Sequence, residues 1–581
     1  MRHKIASLFP VITTVKHYRG KLAYADASAA LIVTLMLVPQ SLAYALLAGL
    51  PPEVGLYSSI LPLIAYAIFG TSTTLAVGPV AVISLMTGAT IANVNNALSY
   101  SPTEIAVALS LLSGLLLLAM SVLKLGFVVN FLSRSVIEGF VMASSILIIV
   151  SQLKHIAGVE IHGHALTETV SSLYQSVGDT HIPTLLMGIA VLVLLFLGRA
   201  LFKPFLTRLG VSGHAADLVV RMFPAIMVVC SILVMNFTAA GESGIRVVGH
   251  IPNGLPAFQL SRLDTELFGN LFMPALLIAI IGYVESISVA TRFAVKTKTT
   301  IEPNQELLAM GASNISSSIS GGMPVTGGFS RSVVNYDAGA KTPLSGVMAA
   351  VLIGLLASGL MATLALLPKA TLAAVIIVAV ASLIDINKLK ETWLFSKYDF
   401  SLTAITIVTT LLAGVETGVS VGIVLSIILH LYHTSKPHIA VVGLVPGTEH
   451  FRNVLRQEVE TIPEIVGIRI DESLYFANAT FLEKAVIEQV TQLPRTQYCV
   501  LLFSSVNDID ASALESLESI YEKLSNMGIQ LHFSEIKGPV LDKLQKTHFY
   551  DEIKECTHLS HYQAVMHLSD LLHSSNTTKQ T

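Results

Sequence analysis

The sequence predicts a polytopic α-helical membrane protein followed by a small soluble α/β domain. Charge is scarce: 13% of the 581 residues are charged and 53% are hydrophobic, where a soluble domain carries about 25% charged. The shortage is also uneven, with about one residue in ten charged up to residue 435 and about one in five after the Lys436-Pro437 step. Apolar runs recur throughout the first part, and several are too short to cross a ~30 Å hydrocarbon core, which takes about 20 helical residues. Short runs interrupted by Gly or Pro mark binding sites in carriers. The expected domains are a leader (1–25), a membrane domain (26–435), a soluble domain (436–572) and a disordered tail (573–581).

The leader holds Arg2, Lys4, Lys16, Arg19 and Lys21 without a long apolar run, so it reads as a cytoplasmic amphipathic start rather than a signal peptide. Fourteen apolar segments follow, at 27–47, 54–69, 79–93, 104–123, 128–152, 183–200, 219–237, 272–291, 304–319, 328–338, 343–365, 369–384, 400–414 and 416–433. The third and the tenth are the clearest short ones, and each is the third of a set of seven. An odd repeat length makes the second set enter the membrane inverted, so a seven-plus-seven inverted repeat is expected from segment order alone. With the N-terminus cytoplasmic, Lys124, Arg134, Arg199, Lys203, Arg292, Lys296, Lys388 and others fall inside, and only Lys154, Arg246, Arg262 and Lys369 outside. That distribution follows the positive-inside rule and places both termini in the cytoplasm.

Segment 3 opens Val77-Gly78-Pro79-Val80-Ala81-Val82, and segment 10 opens Gly327-Gly328-Phe329-Ser330-Arg331. Pro79 suits a first helical position, where its missing N–H would be unpaired anyway. Two half-helices with opposed N-termini supply roughly +0.5 charge each; Arg331 adds a full charge, giving about +2, which suits a divalent oxyanion. A charge at membrane depth costs roughly 2.5–3.5 kcal/mol on insertion scales and persists where function needs it. Glu285, in segment 8, is the second such charge. Ionised, it lowers the balance to about +1 (half-charges for the helix ends); taking up a proton restores about +2, so dianion uptake with a proton is expected. A structural Glu285–Arg331 ion pair is the plain alternative. In segment 1, Pro39 interrupts the helix, and Gln40 and Tyr44, four apart on one face, can both donate to substrate oxygens; two interhelical hydrogen bonds would use them equally well.

Several stretches resemble the sulfate permease (SulP) anion transporter family: Pro51-Pro52-Glu53-Val54-Gly55-Leu56-Tyr57-Ser58-Ser59, Val-Pro-Gln-Ser-Leu-Ala-Tyr at 38–44, Leu-Ala-Val-Gly-Pro-Val-Ala-Val-Ile-Ser at 75–84, Val-Glu-Ser-Ile-Ser-Val-Ala at 284–290, and 328–342 around Ser330-Arg331. Val54, Thr73 and Ala29-Ala30 depart from that pattern, outside the anion pocket. The Ser-Arg pair and the 284–290 run are most similar to the family's proton-coupled sulfate carriers. The resemblance implies a core of segments 1–4 and 8–11 that moves as an elevator against a gate of segments 5–7 and 12–14. It also implies an anion held near Gln40, Tyr44, Val80, Ala81, Ser330 and Arg331, with Glu285 as the proton site. Sulfate or a similar anion, a proton, the plasma-membrane bilayer and a second copy of the chain are the expected partners. The alternatives are a bicarbonate, dicarboxylate or chloride carrier of the same fold, and a channel-like anion-responsive protein.

Glu138, Asp385 and Glu416 flank apolar runs and read as structural. His155, His162, His164 and His181 fall in or beside an external loop with no metal-binding spacing, and Cys230, Cys499 and Cys556 fit neither a disulfide framework nor a zinc site. No metal, cofactor or nucleic acid is expected. In the soluble part, strands are expected at 465–476, 498–506 and 529–536, a helix at Ala511–Asn526, and another helix starting at Pro539. The run Asp508-Ile509-Asp510-Ala511-Ser512-Ala513 after a strand resembles a STAS domain. That resemblance implies Ser512 as a candidate regulatory phosphorylation site, against its plain role as a helix-start hydroxyl, and a cytosolic protein partner for the domain. No nucleophile–base pair appears, so an enzyme is not expected.

Overall fold

The computed structural model describes residues 8–97, 100–127, 133–160, 166–210, 212–252, 254–256, 265–359 and 361–578. The chain divides into two compact units, Met1–Ser426 and Ile427–Thr581.

Each of the fourteen expected segments contains a helix, the last of them running from the first unit into the second. Segment 1 is a 28-residue helix, Gly20–Leu47, about 42 Å long at 1.5 Å per residue. Segment 2 is broken into Pro52–Tyr57 and Leu61–Phe69. Segment 3 begins as a two-residue strand, β1 (Val77–Gly78), and turns helical only at Ala81–Ala97. Segment 4 is Pro102–Val122, opened by a reciprocal capping box between Ser101 and Glu104. Segments 5, 6 and 7 are Arg134–Ala157, Ile182–Leu197 and Gly213–Phe237. Segment 8 is the longest helix, Thr265–Thr297, running past both ends of the apolar stretch expected at 272–291 because its flanking residues are polar yet still helical. Segment 9 is Pro303–Ile319. Segment 10 repeats the plan of segment 3: a strand, β2 (Thr326–Gly327), then a helix, Phe329–Asp337. Segments 11 to 14 are Leu344–Gly359, Lys369–Ala381, Lys397–Ala413 and Val415–Thr434. Among the described residues, seven helices are long and apolar enough to cross a membrane by length and composition, and segments 3, 6, 7 and 11 contain shorter apolar helices.

The packing reproduces the repeat that segment order suggested. Segment 4 packs on segments 8 and 9, and segment 11, seven places on, packs on segments 1 and 2. Segment 5 packs on 12 and 13, and segment 12 packs on 5 and 6. Shifting every label by seven therefore maps one set of contacts onto the other, and β1 pairs antiparallel with β2, Val77 opposite Gly327 and Gly78 opposite Thr326. Segments 1–4 and 8–11 contact mainly one another and form the core; 5–7 and 12–14 form the gate. The two meet chiefly where segments 7 and 12 lie on segment 1 and segment 5 lies on segment 3.

The second unit holds a six-stranded sheet in the order β4-β3-β5-β6-β7-β8, with β3 Ile439–Leu444, β4 Phe451–Asn453, β5 Ile465–Ile470, β6 Tyr498–Leu502, β7 Gln530–Ser534 and β8 Thr557–His558. Strands β5 to β8 run parallel, and β3 is antiparallel to both its neighbours. Alternate residues feed opposite faces. Val466, Ile468, Cys499, Leu501, Leu531 and Phe533 pack under the helices Ala479–Gln492 and Ala511–Asn526. Ile465 and Val500 pack instead against Ala564 and Leu568 of the last helix, His561–Thr578. That helix runs on to Thr578, past the domain end expected at 572, with Leu568 and Leu572 buried. The strands expected at 465–476 and 498–506 end early, at Ile470 and Leu502.

Candidate functional site

Where the antiparallel pair β1/β2 crosses the core, the chain leaves extended geometry and two helices start, Ala81–Ala97 and Phe329–Asp337. The first N–H groups of a helix have no intrahelical partner, and no side chain caps the start of segment 10. The crossing is held by side chains that satisfy backbone groups on the opposite strand. Ser332 Oγ accepts from the Ala76 amide at 3.0 Å and donates to the Gly328 carbonyl at 2.8 Å. Asn335 donates to the Thr74 carbonyl at 3.1 Å. From segment 8, Ser286 accepts from the Gly327 amide at 2.8 Å and bonds Thr326 Oγ1 at 2.8 Å. These bonds place Glu285, the residue before Ser286, beside the crossing.

Arg331 is buried, with 3% of its surface exposed. Its Nη2 donates to the Pro79 carbonyl, and its Nη1 is buried without a hydrogen-bond partner. The guanidinium lies across Gly78, where an added Cβ would collide with Nη1, so this glycine makes room for the arginine. A Cβ at Gly328 would meet Arg331 Nε at 3.1 Å and Val80 Cγ2 at 3.3 Å; Val80 and the arginine thus share the space that glycine leaves. Ala81 and Tyr44 belong to one buried cluster. Tyr44 and Gln40 are both buried, and neither polar end has a hydrogen-bond partner among the described residues. Tyr44, Glu285 and Arg331 are close enough for their charges to interact. Ser330 is exposed and Glu285 half-buried, and neither makes a side-chain hydrogen bond among the described residues. Val80, Tyr44 and Glu285 thus lie near Arg331, and no direct Glu285–Arg331 ion pair forms among the described residues.

This fold and crossing can be compared with known proteins. Residues 24–406 match the sulfate permease family and residues 456–564 match the STAS domain. The chain belongs to the sulfate permease family. The Arabidopsis thaliana protein named "Sulfate transporter 4.1, chloroplastic" is 34% identical over 543 residues, covering 91% of this chain and 78% of the relative. A protein of Mycobacterium tuberculosis named as a probable sulfate transporter is 32% identical over 551 residues, covering 94% and 95%. In fold, the chain is similar to the murine Solute Carrier 26 family member A9 anion transporter solved in the inward-facing state, with a TM-score of 0.88 at 22% identity over 98% of this chain and 95% of that one. The transmembrane domain of a cyanobacterial bicarbonate transporter matches with a TM-score of 0.59, covering 71% of this chain and 98% of that one. As a member of the sulfate permease family, the chain is a multi-pass membrane protein that carries small anions and is not an enzyme.

Two acidic residues of the core were missed by the sequence reading. Asp26 is fully buried and accepts from the Lys341 amide (2.7 Å), the Thr342 amide (3.1 Å) and the Thr342 hydroxyl (2.5 Å), tying segment 1 to the loop after segment 10. Glu306 is fully buried and accepts from Tyr66 Oη (3.0 Å), the Thr71 amide (2.8 Å) and Thr71 Oγ1 (2.6 Å), tying segment 9 to the loop before β1. Only their donors, distant in sequence, would have revealed them. Glu138 pairs with Lys388, Asp385 caps the helix Ile386–Phe395, and Glu416 accepts from Thr90 at 2.9 Å. His181 bonds Thr184 at 2.7 Å; His162 and His164 lie outside the described residues. In the STAS domain, Asp510 rather than Ser512 caps the helix Ala511–Asn526, accepting from the Ala513 amide at 2.9 Å. Ser512 is half-buried one residue inside the helix.

Proposed function

We propose that this protein is a proton-coupled secondary transporter that imports sulfate or a similar divalent oxyanion, moving its core against its gate as an elevator. One observation carries the reading: at the start of segment 10, which no side chain caps, Arg331 Nη1 is buried without a hydrogen-bond partner, and Gln40, Tyr44 and Ser330 make no side-chain hydrogen bond among the described residues. Buried donors are ordinarily satisfied, so an arginine that keeps a buried donor free beside a helix start is built for a guest, and that donor calls for an acceptor-rich one. The positive helix ends and the arginine favour an anion, and Val80 and Ala81 bring the segment 3 backbone up to it. Glu285, near enough to feel Arg331 yet not bonded to it, is placed to exchange a proton as the site's charge changes. The names of relatives at 32–35% identity support sulfate as the anion, and the separation of core from gate supports the elevator. The distribution of basic residues supports a cytoplasmic N-terminus and STAS domain.

The test is uptake of labelled sulfate into liposomes holding the purified protein. An inward proton gradient accelerates uptake, and a sodium gradient does not. Uptake indifferent to protons, or driven by sodium, would remove the proton role from Glu285.

A further inference from the structure

The two halves of segment 8 expose different chemistry. The first half exposes Phe268, Phe272 and Met273, suited to hydrocarbon, with Glu266 and Asn270 in its opening turns. Beyond Glu285 the accessible positions are Ser288, Thr291, Arg292, Val295 and Lys296, while Ile287, Val289, Ala290, Phe293 and Ala294 are buried. Positions 285, 288, 292 and 296 fall on one helix face. That face carries a carboxylate, one hydroxyl and two cations, with exposed Val295 at its edge. The cations lie past the apolar stretch at 272–291, and a charged stripe that continues inward to Glu285 is not turned to lipid, where each charge is costly, so water reaches it. From Glu285 to Lys296 the stripe is about 16 Å long at 1.5 Å per residue.

The two cations are seated on aromatic rings. The Arg292 guanidinium carbon lies 5.7 Å from the centroid of Phe329, and Lys296 Nζ lies 5.5 Å from Phe293 and 5.6 Å from Tyr336. Phe329 is 43% exposed and directly precedes Ser330 and Arg331. Neither cation forms an ion pair with a described residue. An aromatic face positions a cation without neutralising it and leaves the edge of a guanidinium free to donate.

We propose that Arg292 and Lys296 form a second, outer docking site for a small oxyanion, in an aqueous vestibule that leads along segment 8 to the inner site at Arg331. The inference rests on the anion path proposed above. A weak cationic site at the mouth raises the local anion concentration and hands the ion to Ser330 and Arg331, one residue beyond the ring that seats Arg292.

The experiment uses the full-length protein in liposomes, with Cys230 and Cys556 replaced by serine and Ser288→Cys as reporter. The reporter reacts with water-soluble thiol reagents, and a negatively charged methanethiosulfonate reacts at least about tenfold faster than a positively charged one, as two unpaired cations within a Debye length require. Adding Arg292→Gln and Lys296→Gln brings the two rates together. In an Arg331→Ala background, where the inner site is disabled, millimolar sulfate still slows the anionic reagent, and it ceases to do so once the two glutamines are added. A reporter that does not react, equal rates for the two reagents, or protection lost with Arg331→Ala alone would each overturn the outer site. Failure of sulfate uptake with charge-selective labelling intact would count against the transport reading and leave the cationic vestibule standing.

Discussion

Glu306 in segment 9 accepts hydrogen bonds from Tyr66 and from both the amide and the hydroxyl of Thr71, whereas Glu285 in segment 8 accepts none among the described residues. Both are glutamates in the helical core of one unit. Their surroundings separate them. The clamp at Glu306, like the one at Asp26, satisfies the carboxylate with fixed donors and so ties a loop beside a half-helix. The crossing of β1 and β2 does the opposite with its side chains: it secures the backbone through Ser286, Ser332 and Asn335, then leaves Gln40, Tyr44, Ser330, Arg331 Nη1 and Glu285 free. A saturated buried charge holds the fold, and an unsaturated one awaits a ligand or a proton.

The largest expected effect would come from Arg331→Ala. Truncating one partner of a buried charge interaction costs 2–5 kcal/mol, so sulfate binding measured by calorimetry should weaken by about 100-fold or more while the thermal midpoint changes little; unchanged affinity would break the comparison at its functional end. Glu306→Ala tests the other end. It leaves three donors unpaired and should destabilise the membrane unit by about 3 kcal/mol, read as a lower unfolding midpoint in detergent. A variant that stays stable but transports poorly would move Glu306 into the functional class. Glu285→Gln should stay within about 0.5 kcal/mol of the parent in stability, while sulfate uptake loses its response to a proton gradient. Transport by that variant that still needed the gradient would place the coupling elsewhere.

The STAS domain offers the same contrast on a smaller scale. His532 and His561 are buried on the face under the last helix, each with Nε2 unpartnered, and burial pushes both down to about 4. His558, which bonds His532 at 3.1 Å, adds to the lowering of both, and His567, whose ring lies 5.8 Å from that of His558, adds to that of His532. In the unfolded chain a histidine titrates near 6.5, so between about pH 6.5 and pH 4 the unfolded state binds more protons. The stability from keeping these rings neutral is therefore complete above about pH 6.5 and is lost as the pH falls toward 4. Hydrogen exchange on the intact protein should show β7 and the last helix loosening by about 1–2 kcal/mol per histidine at pH 5, and His561→Gln should flatten that profile. The smallest effect separates Asp510 from Ser512: Asp510→Ala removes the cap and costs about 1 kcal/mol, and Ser512→Ala costs almost nothing. A larger loss at Ser512 would restore the capping role to the serine.

Most of the architecture was legible in the chain because lipid imposes one-dimensional rules. Apolar run length set the fourteen segments, and the matching short segments 3 and 10 located the crossing. Arg331 and Glu285 were visible because charges at membrane depth are rare. Asp26 and Glu306 were not, since each sits near the polar end of a segment and its role depends on donors that only folding supplies: Thr342 for Asp26, and Tyr66 and Thr71 for Glu306. Strand β3 pairs with β5, and the final helix covers β5 and β6, so both depended on partners distant in sequence. Hydropathy and segment order thus determined by themselves which parts of this protein enter the membrane and where the chain breaks, because burial in hydrocarbon is priced residue by residue. Which polar groups are satisfied and which are left open was decided only in three dimensions, because a hydrogen bond needs two partners and the sequence does not say which ones meet.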